Sequence, residues 1–233
     1  MNIRYCIRTC NARVKMASDL YDNLKKLVPQ GTKIDIVNDY IGRKPIKIFG
    51  NYLKSLVNNN DFDLLVTLED DAVLNDHIHT NIINMPILEE LEDIGCVQLS
   101  LFSENDLREP TTQYDIDYDC FVRGNCLHYS CGLIFTKKMI EKLDIDMLQK
   151  SDNIDFDIAL TKLCVDSGLL FVLHYPAIVA TIPNVKSSLG NSLTPFDDLF
   201  SKTWNRLDTT SDEYMKVKVQ LKRFLKLHKM LNS

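Results

Sequence analysis

The chain has 233 residues, of which 45% are hydrophobic and 25% charged, with a formal net charge of -5. These values are ordinary for a soluble globular protein and fit one α/β domain of upper-middle size or two small ones. The mild acidity excludes the whole molecule as a general polyanion binder, although local basic patches remain open. No apolar run approaches the ~18 residues of a membrane span, and the N-terminal stretch lacks the apolar core of a signal peptide. We therefore expect a cytoplasmic protein.

Seven cysteines are present, which is an odd number. No two of them are spaced as CxxC, and none has a zinc-type spacing to a histidine. The pattern predicts reduced and mostly buried thiols, as is typical of intracellular proteins. The short separation of Cys126 and Cys131 leaves a disulfide open at that one place.

The first seventy residues alternate between strand and helix patterns. A strand is predicted over "IRYCIRTC", followed by a helix over about 12 to 28 that Thr9 or Asn11 caps. A second strand, "KIDIVND", precedes a helix over Pro45 to Val57, with proline in the first turn. The third strand, "DLLVTL", is a continuous apolar run of the kind that is covered on both faces. This alternation indicates a doubly wound sheet with helices on both sides.

The second half has a more mixed pattern. Strands are predicted at "IGCVQLS" and "LHYSCGLIFT", separated by a polar loop or hairpin over 102–125. Helices follow at "KKMIEKLD" and at "IDFDIALTKLCVDSG", where Gly168 ends the second one. A last strand, "LLFVLHYPAIVA", bends at Pro176, and a basic helical tail begins near Glu213. The clearest internal division lies near residue 100.

Polar residues follow each of the first three predicted strands. They are Thr9 to Arg13, Asn38-Asp39, and the carboxylate triplet Glu69-Asp70-Asp71. Because ligands bind at the carboxyl ends of the strands in such sheets, we expect the three groups to converge.

The carboxylate triplet has two interpretations. A solvated acidic turn is common after a strand, but this triplet follows a buried-type strand directly. Adjacent carboxylates repel one another unless a cation neutralises them, and such hard oxygen ligands suit Mg²⁺ or Mn²⁺. Sites of this type use one or two protein carboxylates, with substrate phosphates completing the shell. The triplet therefore favours a metal–diphosphate site.

The segment "LLVTLEDDAVL" resembles the strand and acidic motif of glycosyltransferases with the GT-A fold. The resemblance is strongest to lipopolysaccharide-type and phage-encoded sugar transferases that carry EDD rather than DxD. Two further stretches, "NIDFDIAL" and "YPAIVATIPNVKSSLGN", resemble later family motifs in the family's order. The resemblance implies a GT-A-like doubly wound mixed sheet flanked by helices. It also implies one domain over 1–233, with a nucleotide-sugar-binding half (1–100) and an acceptor half (101–233).

The resemblance also implies roles for individual residues. Asp71, assisted by Glu69, would hold Mn²⁺ or Mg²⁺, and Asp155 would be the catalytic base, with Asp157 as the fallback. The residues implied in binding the nucleotide sugar, most simply a UDP-sugar, are Thr9, Arg13, Asp39, Asp70, Ser187 and Ser188. Each of these also has a plain structural interpretation as a helix cap, a turn residue or a solvated charge.

One departure from the family concerns the metal. The histidine that completes the metal shell in many members falls on Thr181 in this sequence. Three alternatives stay open: a metal held through Asp71 and water, a contribution from His174, or a metal-independent mechanism.

Three functional hypotheses follow. The first is an active nucleotide-sugar transferase whose acceptor is a hydroxymethyl-pyrimidine in DNA or a glycan, in the host cytoplasm if the protein is viral. The second is a catalytically silent nucleotide- or sugar-binding protein of the same fold. The third, a nucleotidyltransferase, normally has a Gly-rich first loop with a lysine, which "RTCNAR" lacks. The basic tail, including Lys222, Arg223 and Lys226, would meet a polyanionic acceptor such as DNA; the oligomeric state is left open.

Overall fold

The computed structural model describes residues 1–40, 45–85, 94–99, 113–115, 121–124, 130–150, 156–174 and 178–182. Its first part contains β1 (Ile3–Cys10), α1 (Val14–Leu27), β2 (Ile34–Asp39), α2 (Pro45–Val57) and β3 (Leu64–Glu69). A 3-10 turn, Asn11–Arg13, joins β1 to α1. The predicted alternation of strand and helix is therefore confirmed.

Two short elements after β3 were not predicted. They are β4 (Ala72–Leu74) and α3 (Ile78–Ile83). The second part contains β5 (Ile94–Gln98), β6 (Gln113–Asp115), β7 (Phe121–Gly124), β8 (Gly132–Thr136), α4 (Lys137–Lys142), α5 (Asp146–Lys150), α6 (Phe156–Asp166), β9 (Leu170–His174) and β10 (Val179–Thr181). Gly168, with a φ of 70°, follows the end of α6 as predicted.

Over the described ranges, the main sheet has the strand order β2-β1-β3-β8-β5-β9-β7-β6. β1 runs parallel to β2 and β3, and β5 runs parallel to β9. β8 is antiparallel to both β3 and β5, and β7 is antiparallel to β9. The sheet is thus mixed. The carboxyl ends of the parallel strands β1, β2 and β3 lie together at one edge of the sheet. This confirms the predicted mixed α/β architecture.

Helices cover the sheet on both faces, because alternate strand residues point to opposite sides. One buried cluster joins β1 residues Ile3, Tyr5 and Ile7 to α1 and α3. The other joins Cys6 to apolar residues of α2, α4, α5 and α6. β1 is therefore buried on both faces, and any polar side chain on it must find a partner inside the protein.

A two-stranded ribbon of β4 and β10 packs on the first of these faces. Gly132 at the start of β8 makes this packing possible, since a Cβ at that position would lie 3.0 Å from the Val179 side chain. The ribbon places Thr181 in register with Ala72, directly after the carboxylate triplet. A segment more than one hundred residues away in sequence therefore lies beside the triplet.

The five cysteines within the described ranges are free thiols, and four of them are buried. Cys131 is among them, and Cys126 lies outside the described residues. None of the described helices is long and apolar enough to cross a membrane.

Candidate functional site

The polar groups that follow β1, β2 and β3 converge at one edge of the sheet, as predicted. Cys10 pairs with Asp39, and Arg8 pairs with Glu69, in the parallel registers that β1 makes with its two neighbours. The loops that leave these three strands therefore meet at the carboxyl end of β1. Their side chains form two hydrogen-bonded groups, one on each face of the sheet.

The first group surrounds the carboxylates of Asp70 and Asp71, which are each only 5% exposed. The Thr9 hydroxyl donates a 2.7 Å hydrogen bond to Asp70 Oδ2. The Arg13 guanidinium donates to Asp70 Oδ1 at 2.9 Å and to Asp71 Oδ2 at 3.0 Å through the same Nη1 atom. Arg13 is thus a cation shared between two buried carboxylates.

These contacts correct the predicted capping of α1. No side chain caps the 3-10 turn or the helix. The Thr9 hydroxyl instead faces Asp70, and the Asn11 amide donates to the Tyr40 backbone oxygen at 3.0 Å. Both side chains bond to residues that directly follow the neighbouring strands β3 and β2, so neither caps α1.

The charge of Asp71 is only partly compensated. Burial raises the pKa of Asp71 to about 6, and repulsion from Glu69 and Asp70 adds to that effect. Arg13 opposes it, but its attraction is smaller than the sum of desolvation and repulsion. Burial alone would lower the pKa of Arg13, but the hydrogen bond and charge of Asp70, together with Asp71, raise it. Arg13 therefore does not fully neutralise the carboxylates of this group.

Glu69 belongs to a second group on the other face of the sheet. Its Oε1 atom accepts from the Ser130 hydroxyl at 2.6 Å and from Arg8 Nη2 at 3.3 Å. Arg8 also donates to the Ser130 backbone oxygen. Its guanidinium carbon lies 4.1 Å from the centre of the Phe156 ring and 5.7 Å from that of Phe49. Glu69 is thus engaged away from Arg13, whereas Asp70 and Asp71 face it.

Residues at the end of β2 extend the site. Asn38 donates to Asn11 Oδ1 at 3.1 Å, and the Asn38 Oδ1 atom is buried without a partner among the described residues. Asp39 is buried, at 4% exposure, whereas the neighbouring Tyr40 is 74% exposed. Asn11 is hydrogen-bonded to both Asn38 and Tyr40, and it therefore links the β1 and β2 loops.

The β10 segment borders the triplet from the other side. The Ile182 backbone N–H donates to the Asp71 carbonyl oxygen at 2.9 Å. Thr181 is therefore beside Asp71, in the place that the family resemblance assigns to a histidine. His174 is the last residue of β9, and strands β8 and β5 lie between β9 and β3 in the sheet. At about 4.8 Å per strand spacing, these backbones are on the order of 14 Å apart, so His174 is not a neighbour of the triplet.

The donor set fits a divalent cation only in part. Asp71 Oδ1 is buried and has no hydrogen-bond partner within the described ranges, so one carboxylate oxygen is available to a ligand. No group of three or more His, Cys, Asp or Glu side chains in the described part of the chain is arranged to hold a metal ion. Asp70 and Asp71 could therefore hold Mg²⁺ or Mn²⁺ only if water and substrate oxygens completed the shell, which is usual for Mg²⁺.

Several predicted site residues cannot be placed. Asp155, Ser187 and Ser188 lie outside the described residues, as does the basic tail. Asp157 is half-buried in the first turn of α6, directly after Phe156. The structure therefore brings Thr9, Arg13, Asp70 and Asp71 into contact, engages Glu69 elsewhere, and adds Arg8 and Ser130, which the sequence reasoning missed.

A signal for Arg8 was present in the sequence. The predicted strand has Ile3, Tyr5 and Ile7 on one side, so Arg4 and Arg8 must share the other side. A doubly wound sheet covers both sides with helices, so a charged residue there requires a buried partner.

Solved structures with a similar fold are found by comparison over most of this chain. The catalytic domain of Drosophila beta1,4-galactosyltransferase 7 in complex with xylobiose is 11% identical, with a TM-score of 0.50, over 91% of this chain and 82% of that chain. A mutant of that enzyme, in complex with manganese, UDP-Gal and xylobiose, gives 10% identity and a TM-score of 0.42 over 91% and 79%. The galactosyltransferase LgtC with donor and acceptor sugar analogs gives 12% and 0.43 over 93% and 99%.

No protein-family model matches the sequence, and comparison with curated proteins finds no match. At identities this low, the structural similarity to the first of these domains shows a shared fold and nothing about substrates. The chain has the GT-A-type fold, with a central mixed sheet flanked by helices.

Proposed function

We propose that this protein is a glycosyltransferase that moves a sugar from a nucleoside diphosphate sugar to a hydroxyl group of an acceptor. The observation that carries the proposal is the cluster of Thr9, Arg13, Asp70 and Asp71 at the carboxyl edge of a GT-A-type sheet. It combines two buried carboxylates, one bridging guanidinium and one carboxylate oxygen that has no partner among the described residues. An excess of buried negative charge at a ligand-binding edge is suited to a cation and a diphosphate together.

The residues of the β1, β2 and β3 ends bind the donor in this proposal. Arg13 interacts with the diphosphate as a planar cation, and Asp39 at the end of β2 contacts the nucleoside. Asp70 lies beside the ribose, fixed by Thr9. Ser187 and Ser188 supply hydroxyls to the diphosphate. A UDP-sugar is the donor that the family resemblance implies.

Asp71, with Asp70, would hold Mn²⁺ or Mg²⁺, because Asp71 Oδ1 is a buried carboxylate oxygen without a partner in the described residues. The bound cation would stabilise the charge that develops on the leaving diphosphate. Glu69 fixes the start of the carboxylate turn through Ser130 and Arg8, and is not a ligand in this proposal.

Asp155 is proposed as the general base, and Asp157 as the alternative. In a transfer with inversion, the carboxylate takes the proton of the acceptor hydroxyl while that oxygen bonds to the anomeric carbon. The bond from the anomeric carbon to the diphosphate breaks, and its electron pair leaves with the nucleoside diphosphate. The sugar is transferred with no redox step.

The release of nucleoside diphosphate from a panel of nucleotide sugars, with and without Mn²⁺, tests this function. We expect UDP release from one UDP-sugar, faster with Mn²⁺, and its loss in Asp71→Asn. Asp35→Asn is a matched control, because Asp35 is also a carboxylate paired with an arginine, but at the far end of β1. Absence of nucleoside diphosphate release from every donor in the panel would contradict the proposed transferase function.

The acceptor is proposed to be a glycan or hydroxymethylated DNA, and salt dependence separates the two. DNA binding through the tail should weaken steeply with salt, and replacing Lys222, Arg223 and Lys226 with Gln should flatten that dependence. Binding that is insensitive to salt returns the acceptor to the glycans.

One observation favours a second function, a catalytically silent binding protein. Thr181 lies beside Asp71 where the resemblance places an imidazole, and threonine is a weaker metal ligand. Such a protein would be stabilised by a nucleotide sugar in a thermal shift experiment but would leave the donor intact.

A further inference from the structure

The second charged group of the site, around Arg8, has no part in binding the donor as described above. Arg8 and Glu69 are register partners on adjacent parallel strands, on the face opposite Thr9. The Arg8 side chain is only 11% exposed. A guanidinium at this depth requires a reason, because desolvating it is costly unless it is paired and hydrogen-bonded.

Three parts of the fold meet at this guanidinium. Through Nη2 it contacts the Glu69 carboxylate at the end of β3 and the backbone oxygen of Ser130 before β8. Its face lies over the ring of Phe156, the first residue of α6, at 4.1 Å from the ring centre. Only arginine combines a planar face for an aromatic ring with in-plane donors for a carboxylate and a carbonyl.

The position of Phe156 gives this contact its significance. Phe156 stands between Asp155 and Asp157 in the sequence, which are the two proposed choices for the general base. Glu69 directly precedes Asp70 and Asp71. Arg8 therefore connects the strand that leads into the carboxylate pair to the helix start that follows the proposed base.

We propose that Arg8 is a positioning residue that sets the start of α6 relative to the end of β3, and so aligns the general base with the donor. This inference rests on the proposed transferase function. Asp70 and Asp71 are held independently by Thr9 and Arg13, so loss of Arg8 should leave donor binding in place. A base displaced by about 1 Å costs on the order of 10²-fold in rate.

Arg8→Met tests the proposal, with Arg4→Met as the matched control. Arg4 lies on the same face of the same strand, is 14% exposed, and is paired with Asp35 and Asp61 far from the triplet. Both variants should lose comparable thermal stability. Arg8→Met should lose roughly 10²-fold in kcat with donor KM changed less than about threefold, whereas Arg4→Met should keep kcat when both are measured well below their Tm.

Two further variants test the route through the ring. Arg8→Lys keeps the charge but loses the planar stack, so it should recover stability more fully than kcat. If Arg8 acts through Phe156, the double variant Arg8→Met, Phe156→Leu should lose no more kcat than Arg8→Met does alone. Wild-type kcat in folded Arg8→Met, or multiplied losses in the double variant, would overturn the proposal. A wild-type protein without any donor cleavage would instead refute the transferase function itself.

Discussion

The two ends of β1 each hold an arginine–carboxylate cluster, half-buried at the first end and more deeply buried around Asp70 and Asp71 at the second. The clusters also differ in how completely their buried polar atoms are paired. At the first end, Arg4 binds Asp35 at 2.6 Å and Asp61 at 3.2 Å. The Tyr52 hydroxyl donates to the same Asp35 oxygen at 2.6 Å, and Lys33 pairs with Asp61. None of the side-chain atoms of Arg4, Asp35 or Asp61 is buried without a partner in the described structure.

At the second end, three buried atoms lack partners among the described residues, namely Asp71 Oδ1, Arg8 Nε and Asn38 Oδ1. The pKa of Asp71 is raised chiefly by burial and then by repulsion from Glu69 and Asp70, which Arg13 offsets only in part. Native proteins satisfy nearly all buried polar groups, so each exception requires an explanation, such as a bound ion or a catalytic role. The first cluster therefore needs no ligand to explain it, whereas the Asp71 oxygen of the second agrees with the proposed metal site.

The largest difference between the clusters should appear in activity. Asp71→Asn should lower kcat/KM for sugar transfer by at least roughly 10³-fold, since it removes the carboxylate that would hold the cation at the reacting diphosphate. Asp35→Asn should leave it within about threefold and instead lower the Tm, because Arg4 and Tyr52 lose a partner. Steady-state assays at saturating Mn²⁺ and circular dichroism melts measure both effects. Full activity in Asp71→Asn at low added metal would remove the metal-site interpretation.

A second effect concerns Asp155, the proposed general base, which directly precedes α6 in the sequence. Asp155→Asn should reduce turnover by roughly 10²- to 10⁴-fold, the range expected for loss of a general base. Donor affinity should be unchanged, as titration with UDP and Mn²⁺ will show. If affinity collapses while turnover persists, Asp155 binds the donor and the base lies elsewhere, with Asp157→Asn as the next variant.

The fold was largely predictable from the sequence because its elements carry local signals. The apolar run before the triplet and the proline at the start of α2 mark their elements, and α2 has the predicted bounds Pro45–Val57. β4 was missed because a three-residue strand is defined by its distant partner β10 and not by its own pattern. The capping of α1 was predicted wrongly for the same reason: the Thr9 hydroxyl has a partner 61 residues away.

The clusters should also respond differently to pH. The folded state raises the pKa of Asp71 from its ordinary value of 3.8 to about 6. The resulting stability is present below about 4 and is lost as the pH rises through about 6, so metal-free wild type is destabilised at pH 7.5 by on the order of 3 kcal/mol at most. Asp71→Asn lacks this loss, although Glu69, Asp70 and Arg13 still face position 71.

Urea unfolding of the metal-free protein from pH 4 to pH 7.5 measures that difference. Asp71→Asn should be more stable than wild type at pH 7.5 and should lose its advantage near pH 4. An advantage that is constant over this range, or a variant that is less stable at pH 7.5, would show that Asp71 is well compensated in the folded protein.

The smallest effect concerns the ribbon that borders the site. Gly132→Ala should destabilise the protein by about 1–3 kcal/mol, the usual cost of overpacking, because the new Cβ would lie 3.0 Å from Val179. The double variant Gly132→Ala, Val179→Ala should recover part of this loss in a urea unfolding experiment. Additive losses would mean that the contact between β8 and β10 does not limit residue size at position 132.

The convergence of four predicted residues was predictable from the sequence, but the pairings among them were not. Strand-end position identified Thr9, Arg13, Asp70 and Asp71, because parallel strands bring their carboxyl ends together. Which cation meets which carboxylate depends on the sheet face of each side chain, and this separates Glu69, with Arg8, from its neighbours in the triplet. A run of three acidic residues cannot reveal that division without the strand register.

Titration calorimetry of UDP binding in the presence of Mn²⁺, on wild type, Asp71→Asn and Asp35→Asn, tests the central claim most directly. Our account predicts that wild type and Asp35→Asn bind UDP with the same affinity, and more tightly with Mn²⁺ than without it. It predicts at least tenfold weaker binding to Asp71→Asn, which we expect from the loss of one ligand carboxylate. Equal UDP affinity in Asp71→Asn and wild type, or no binding of UDP to wild type, would contradict the assignment of this sheet edge as a nucleotide-sugar site.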